Sequence, residues 1–274
     1  MTTAFNSLSY NRGFKPLLFI MEETNQKLLN SAASDAAQET LEEADVFSGE
    51  LENIELIKEM MAHGLMYGHK KTKTNPKFKP FILTARSGIE IIDLTKTLSS
   101  IDEAAKFLAE QIKQKKIIIL AATQQAAHET MESFAKKFNL PYVRNRWIGG
   151  LITNFRVISQ RLEYFKKAVK DMESGGFDKY TKKEKGMISK NIERMKKIFG
   201  GLENLPALPE VLFTIDSSLK GHATAIREAK SKNIPVVAII DSDDDPSGVD
   251  YPIYANDHSK KSIEWVIKKI EEKL

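Results

Sequence analysis

Three uninterrupted apolar runs constrain the fold most: residues 117–121, 211–215 (VLFTI) and 236–240 (VVAII). Each is short and lacks polar alternation, so each reads as a strand buried on both faces. Helical stretches separate them. One opens at a capping box, Ser100-Ile-Asp-Glu103, and runs to Gln114. Others cover 125–138, 219–232 and 259–273, and a short strand is expected at 141–143. Strands that alternate with helices predict a three-layer, doubly wound α/β domain of flavodoxin or Rossmann type, with a mostly parallel sheet. Upstream, a helix is expected over 51–65. A loop follows from Gly64 to Pro80, then a hairpin of 81–83 and 89–94 around Ser87-Gly88.

The alternation breaks between 150 and 205. Phe155, Ile158, Leu162, Phe165, Val169 and Met172 fall on one helical stripe, and Ile188, Ile192, Met195, Phe199 and Leu202 on a second. Ser174-Gly175-Gly176 stands between them as a helix stop. This predicts an inserted antiparallel coiled-coil hairpin over 155–202, about 27 Å long at ~1.5 Å per residue. Its stripe suffices for the two helices to cover each other. The body is then 51–154 plus 203–274. Residues 1–50, rich in Ser, Thr, Asn, Ala and acids, are expected to be a mostly disordered acidic extension, with a weak helix at 31–44 and Met21 as an alternative start.

The 274 residues carry 41 basic and 37 acidic side chains, a net +4 that hides its distribution. Residues 1–50 hold three basic and eight acidic groups, whereas 155–199 hold thirteen basic and six acidic. Concentrated positive charge points to a polyanionic partner or to a solvated Lys/Glu helix face. There is no cysteine, which excludes disulfides, Cys-ligated metals and Cys nucleophiles. No apolar run approaches the ~20 residues of a membrane span. No Walker-type G-x-x-x-x-G-K-S/T, post-strand G-x-G-x-x-G, H-E-x-x-H or G-x-S-x-G occurs, so no catalytic residue is assigned.

Two segments concentrate side chains suited to RNA. KKTKTNPKFKP brings Lys70, Lys71, Lys73, Lys77 and Lys79 beside Asn75 and Phe78. RNRWIGGLITNFR brings Arg144, Asn145, Arg146, Trp147, Asn154, Phe155 and Arg156 to the start of the hairpin. Lys and Arg neutralise phosphates, Asn bonds sugar and phosphate, and an aromatic ring stacks on an unpaired base. For Trp147, burial as a hinge between body and arm is the favoured alternative. Asp241, Asp243, Asp244, Asp245 and Asp250 follow a buried strand, where open α/β sheets bind ligands. They read either as a solvated Asp-rich turn, which is favoured, or as the Mg²⁺ site of an enzyme or phosphoacceptor domain. Of five histidines, His128 and His222 read as ordinary helix residues, and His69 and His258 as possible ligands.

These segments also carry a resemblance. MYGHKKTKTNPKFKPFI (66–82), GIEIIDLTKT (88–97), PYVRNRWIGGLITNF (141–155), FDKYTKKE (177–184), IFGGL (198–202), IPVVAIIDSDDDPSGVDYPI (234–253) and Asn256-Asp257 resemble, in order, the bacterial S-two family of small-ribosomal-subunit proteins. The resemblance spans 51–274. It implies a non-enzymatic scaffold that contacts 16S rRNA through the basic loop and arm, Lys182 and Lys183 included. It further implies a role in late subunit assembly, and docking of neighbouring proteins, S-one among them. Such a chain would be no homo-oligomer and no membrane protein, and would sit on a bacterial cytoplasmic ribosome in preference to an organellar one. It would require no cofactor. A Zn or Mg ion, as in some members, would fall at His69, Asp241, Asp257 and His258. The chain departs from the family at Met66 and Tyr67, where its HFGH motif begins, at Arg144, where Asn is common, and at His258, where Asp is frequent.

Overall fold

A computed structural model describes residues 53–177 and 180–274. The expectations for the acidic extension lie outside them. A division falls at Leu56/Ile57, and the fold below is that of 57–274. Helical residues of α1 span 53–62. There follow β1 (Tyr67–Lys70), β2 (Ile82–Arg86), β3 (Ile89–Ile92), α2 (Leu94–Lys113), β4 (Ile118–Ala121), α3 (His128–Phe138), β5 (Tyr142–Val143), α4 (Phe155–Glu173), α5 (Lys182–Phe199), β6 (Val211–Ile215), α6 (Lys220–Ser231), β7 (Val236–Ile240), β8 (Tyr251–Tyr254) and α7 (Lys260–Glu271).

The main sheet is parallel throughout, in the order β5-β4-β6-β7-β8. Counted from β4, that is the 2-1-3-4-5 winding of flavodoxin-like folds, with its switch point between β4 and β6. The apolar runs become β4, β6 and β7, and every residue in them is buried. Helices cover both faces. On one, Phe134 of α3 meets Phe213 edge-on at 6.2 Å, Phe107 of α2 stacks on Tyr251 at 4.0 Å, and α7 lies against both helices. On the other, Ile119, Ala121, Leu212 and Val236 pack with Ala225, Ile226 and Ala229 of α6 and with Ile158, Leu162 and Phe165 of α4.

Three expectations change. The chain around 67–70, read as loop, pairs as β1 in a separate antiparallel sheet, β1-β3-β2. Helix α2 starts at Leu94, because the Asp93 carboxylate accepts from Thr95 N at 3.1 Å and caps it earlier than the Ser100 box. Ser100 Oγ instead donates back to Thr97 O at 2.8 Å. The inserted helices lie where the spacing puts them, and Thr181 and Glu184 form a capping box on α5. Their stripe is not self-sufficient, however. Ile158, Leu162, Phe165, Ile192 and Phe199 merge with body residues Val143, Leu151 and Leu205 in one core, while Met172 and Met187 remain 47% and 59% exposed.

Candidate nucleic-acid interface

All five parallel strands end on one edge, and the loops leaving that edge carry the candidate residues. Residues 144–147 leave β5, 122–124 leave β4, 216–219 leave β6, 241–245 leave β7 and 255–258 leave β8. The basic loop belongs to the other sheet, yet it docks on this same edge. Asn75 N donates to Ser242 O at 2.8 Å, and His69 N donates to Ser242 Oγ at 2.7 Å. Phe78 anchors the loop: it is 0% exposed, against Ile92, Ala238, Ile240 and Tyr254. Two basic segments some seventy residues apart in the chain therefore meet one edge. They are three strand spacings apart, about 14 Å at ~4.8 Å each.

Many of the expected contact residues are free to act. Lys70, Lys71, Lys73, Lys79, Arg146, Arg156, Lys182 and Lys183 are exposed and have no ion-pair partner among the described residues. Asn154 is exposed at the start of α4 and makes no side-chain cap. Eleven of the twelve described basic residues between 155 and 199 are exposed, the exception being half-buried Lys185.

Other candidates are already engaged. Lys77 Nζ pairs with Asp245 Oδ2 at 2.9 Å and bonds Ser247 Oγ. Ser247 first, and then Lys77, hold the Asp245 carboxyl down to about 2. Arg144 pairs with Glu132 at 3.0 Å. Asn75 Oδ1 accepts from Lys77 N at 3.0 Å as a helix cap, and Asn145 Nδ2 donates to Lys197 O at 2.6 Å. Phe78 and Trp147 are corrections: both rings are interior. Trp147 is 4% exposed, and its indole donates to Glu228 Oε1 at 3.3 Å, which is the burial favoured for it over stacking on a base.

The far end of the edge has the opposite charge. Asp241 and Asp244 are 2% and 1% exposed, so the solvated-turn reading fails for these two, while Asp245 and Asp250 are exposed as it expects. Its carboxylates organise the loop: Asp244 Oδ2 accepts from Asp241 N at 3.1 Å, and Asp244 Oδ1 accepts from Ser217 Oγ at 2.8 Å. Burial, and then the charge of Asp216, pushes Asp244 up to about 6. Burial also raises Asp257 well above the carboxylate range, aided by Asp244, Asp241, Asp216 and Asp243. His69 Nδ1 lies 3.2 Å from both Asp241 Oδ2 and Asp243 Oδ1. Its pKa is raised, chiefly by the Asp241 hydrogen bond. The four residues named for a metal do not form one set. They divide into His69, Asp241 and His258, and a second group of Asp216, Asp257 and His258, each with ligand atoms within 4.8 Å of one another. Asp257 Oδ2 is buried and has no hydrogen-bond partner among the described residues.

Sequence reasoning missed Glu228 and misjudged His222. His222 is 0% exposed; its Nδ1 bonds Asp216 O at 2.8 Å, and its Nε2 accepts from Thr123 N at 3.1 Å. It therefore ties the ends of β4 and β6 together across the switch point. Burial lowers its pKa.

These features define an α/β protein of flavodoxin-like topology that displays cations unpaired among the described residues from the edge where its parallel strands end and carries a lysine-rich helical insertion. Comparison with known proteins specifies the member. Residues 60–274 match the family model for ribosomal protein S2. Small ribosomal subunit protein uS2 of Petrotoga mobilis is 38% identical over 218 residues, covering 80% of this chain and 75% of that protein. Its counterpart in Coprothermobacter proteolyticus is 38% identical over 218 residues, with 80% and 81% covered. That of Dictyoglomus thermophilum is 36% identical over 219 residues, with 80% and 88% covered. The chain belongs to the ribosomal protein S2 family of the small ribosomal subunit. Among the described residues no helix is long and apolar enough to cross a membrane.

Proposed function

We propose that the chain is a non-catalytic scaffold of a bacterial small subunit. It grips 16S rRNA through Lys70, Lys71, Lys73 and Lys79, through Arg146, Asn154 and Arg156, and through the inserted α4–α5 helices with Lys182 and Lys183 at their turn. It supports late assembly and offers a docking place to neighbouring proteins, S-one included. One observation carries the reading: segments from two separate sheets deliver unpaired cations to a single edge. Phosphate contacts of this kind fix register and carry little base information. Replacing Lys70, Lys71 and Lys73 by Glu is expected to abolish incorporation into small subunits, read on sucrose gradients, while thermal unfolding is unchanged. Normal incorporation would refute the loop's role.

The acidic end suits a cation. Two imidazoles and a carboxylate (His69, His258 and Asp241) fit zinc better than magnesium, which prefers oxygen ligands. Zinc binding to the isolated chain by calorimetry, lost in His258→Ala, tests this. The rival reading, a Mg²⁺-dependent enzyme or phosphoacceptor domain, would use the Asp241 cluster, in which both Asp244 oxygens already accept, from Ser217 Oγ and Asp241 N. Mg²⁺-dependent turnover lost in Asp241→Asn would favour that rival.

A further inference from the structure

The geometry assigns Glu228 a positioning role: its buried carboxylate sets the turn 147–153 and so aims Arg146 and the start of α4 at RNA. The inference rests on the reading that this segment contacts rRNA.

Glu228 is 8% exposed and lies on α6, 75 to 81 residues from its partners. Oε1 accepts from Gly150 N at 2.8 Å and from the Trp147 indole at 3.3 Å. Oε2 accepts from Ile152 N at 3.1 Å, Thr153 N at 3.2 Å and Thr153 Oγ1 at 3.3 Å. One carboxylate thus closes five donors across seven residues. The amides of Gly150, Ile152 and Thr153 have no other acceptor among the described residues. No cation pairs with Glu228 there, so these dipoles alone balance its charge. Burial opposes its ionisation, but the Gly150, Ile152 and Thr153 amides outweigh burial and hold the carboxyl below the usual range.

Two further contacts convert local order into aim. Gly221, two turns earlier on α6, lies against Trp147 so closely that an added Cβ would sit 3.3 Å from Trp147 Cβ. On the other flank, Asn145 is fastened to Lys197 O at the end of α5. Arg146 is therefore held between two fixed neighbours, exposed and without a partner among the described residues. Past the turn, Asn154 and Arg156 leave in the direction the clamp dictates. A carboxylate is required because apolar packing would orphan three amides, one buried and two part-buried, and an amide side chain would turn an NH₂ toward donors whichever way it sat.

The test uses the full chain, a 16S rRNA transcript and binding at several salt concentrations. Glu228→Gln is expected to weaken binding about tenfold and to reduce the slope of log K against log salt by about one, the loss of one phosphate contact. Glu228→Asp, which keeps the charge but withdraws it by one methylene, is the second variant with the same expected direction. Ile270→Val, in the buried face of α7, serves as a destabilised control and should leave both readouts unchanged. Arg146→Ala combined with Glu228→Gln should lose less binding than the two single losses multiplied, because part of each acts through Arg146. Loss of binding in Arg146→Ala with an unchanged slope in folded Glu228→Gln or Glu228→Asp overturns the positioning role alone. Unchanged binding in Arg146→Ala overturns that role together with the RNA reading of the segment.

Discussion

Replacing Phe78 by alanine tests whether the basic loop is held by packing. The ring is 0% exposed and sits edge-on to Phe81 at 5.7 Å and to Tyr254 at 5.5 Å, over Ile92, Ala238 and Ile240. Removing a buried phenyl group costs about 3–5 kcal/mol, because the lost transfer energy adds to that of the cavity. For a folded unit of roughly 200 residues, each kcal/mol lowers Tm by about 2–4 °C, so a fall of about 6–20 °C is expected. Phe78→Leu keeps most of the volume and loses the ring geometry, at about 1–2 kcal/mol. Scanning calorimetry gives both values. Trypsin supplies the local readout: Lys70, Lys71 and Lys73 should be cut much faster in the alanine variant than in the parent, with the leucine variant between. A Tm fall below about 3 °C, or unchanged cleavage, would refute the argument that Phe78 pins the loop to β7.

Three further outcomes are expected. Burial holds the His222 pKa below its unfolded value, so its contribution is present above pH ~6.5 and is lost as pH falls from there toward the folded pKa; Asp244, Asp257 and His69 act in the opposite direction, so the readout is the Tm difference between the parent and His222→Asn, which should shrink from pH 7.5 to 5.5. Gly201→Ala would place a Cβ 2.3 Å from Tyr142 O, a backbone clash, and should cost about 3 kcal/mol or more by urea unfolding. Lys77 is already neutralised by Asp245, so Lys77→Ala should change the salt slope of rRNA binding less than Lys71→Ala does, measured by filter binding.

What the sequence disclosed follows from where each signal resides. Strands β6 and β7 match their predicted bounds because burial on both faces removes every polar interruption. Strand β8, Tyr-Pro-Ile-Tyr, escaped notice because Pro252 argues against a strand except at an edge, which is where it lies. The start of α2 was misplaced because two N-caps compete, and a local rule cannot see that Ser100 Oγ also accepts from Tyr254 N. The cation-bearing segments were legible because phosphate recognition needs residue types in clusters. Glu228 was not, since a lone glutamate in a helix reads as a surface residue until the turn that it satisfies is folded against it. The aspartates at 241 and 244 were misread for the same reason: a turn motif tells nothing of what packs over it.

The insertion of α4 and α5 between β5 and β6 also governs how the chain is made. Strand β4 finds its inner neighbour β6 only across a gap of 93 residues, Ile118 facing Val211. At ~5–20 residues per second of synthesis, that seam stays open for roughly 5–20 s while the cationic helices emerge. A newborn copy thus exposes an apolar strand flank and free lysines together, beside abundant nucleic acid. Early capture of those lysines by RNA would precede closure of the sheet, so maturation of the fold and loading onto its target become competing events in time.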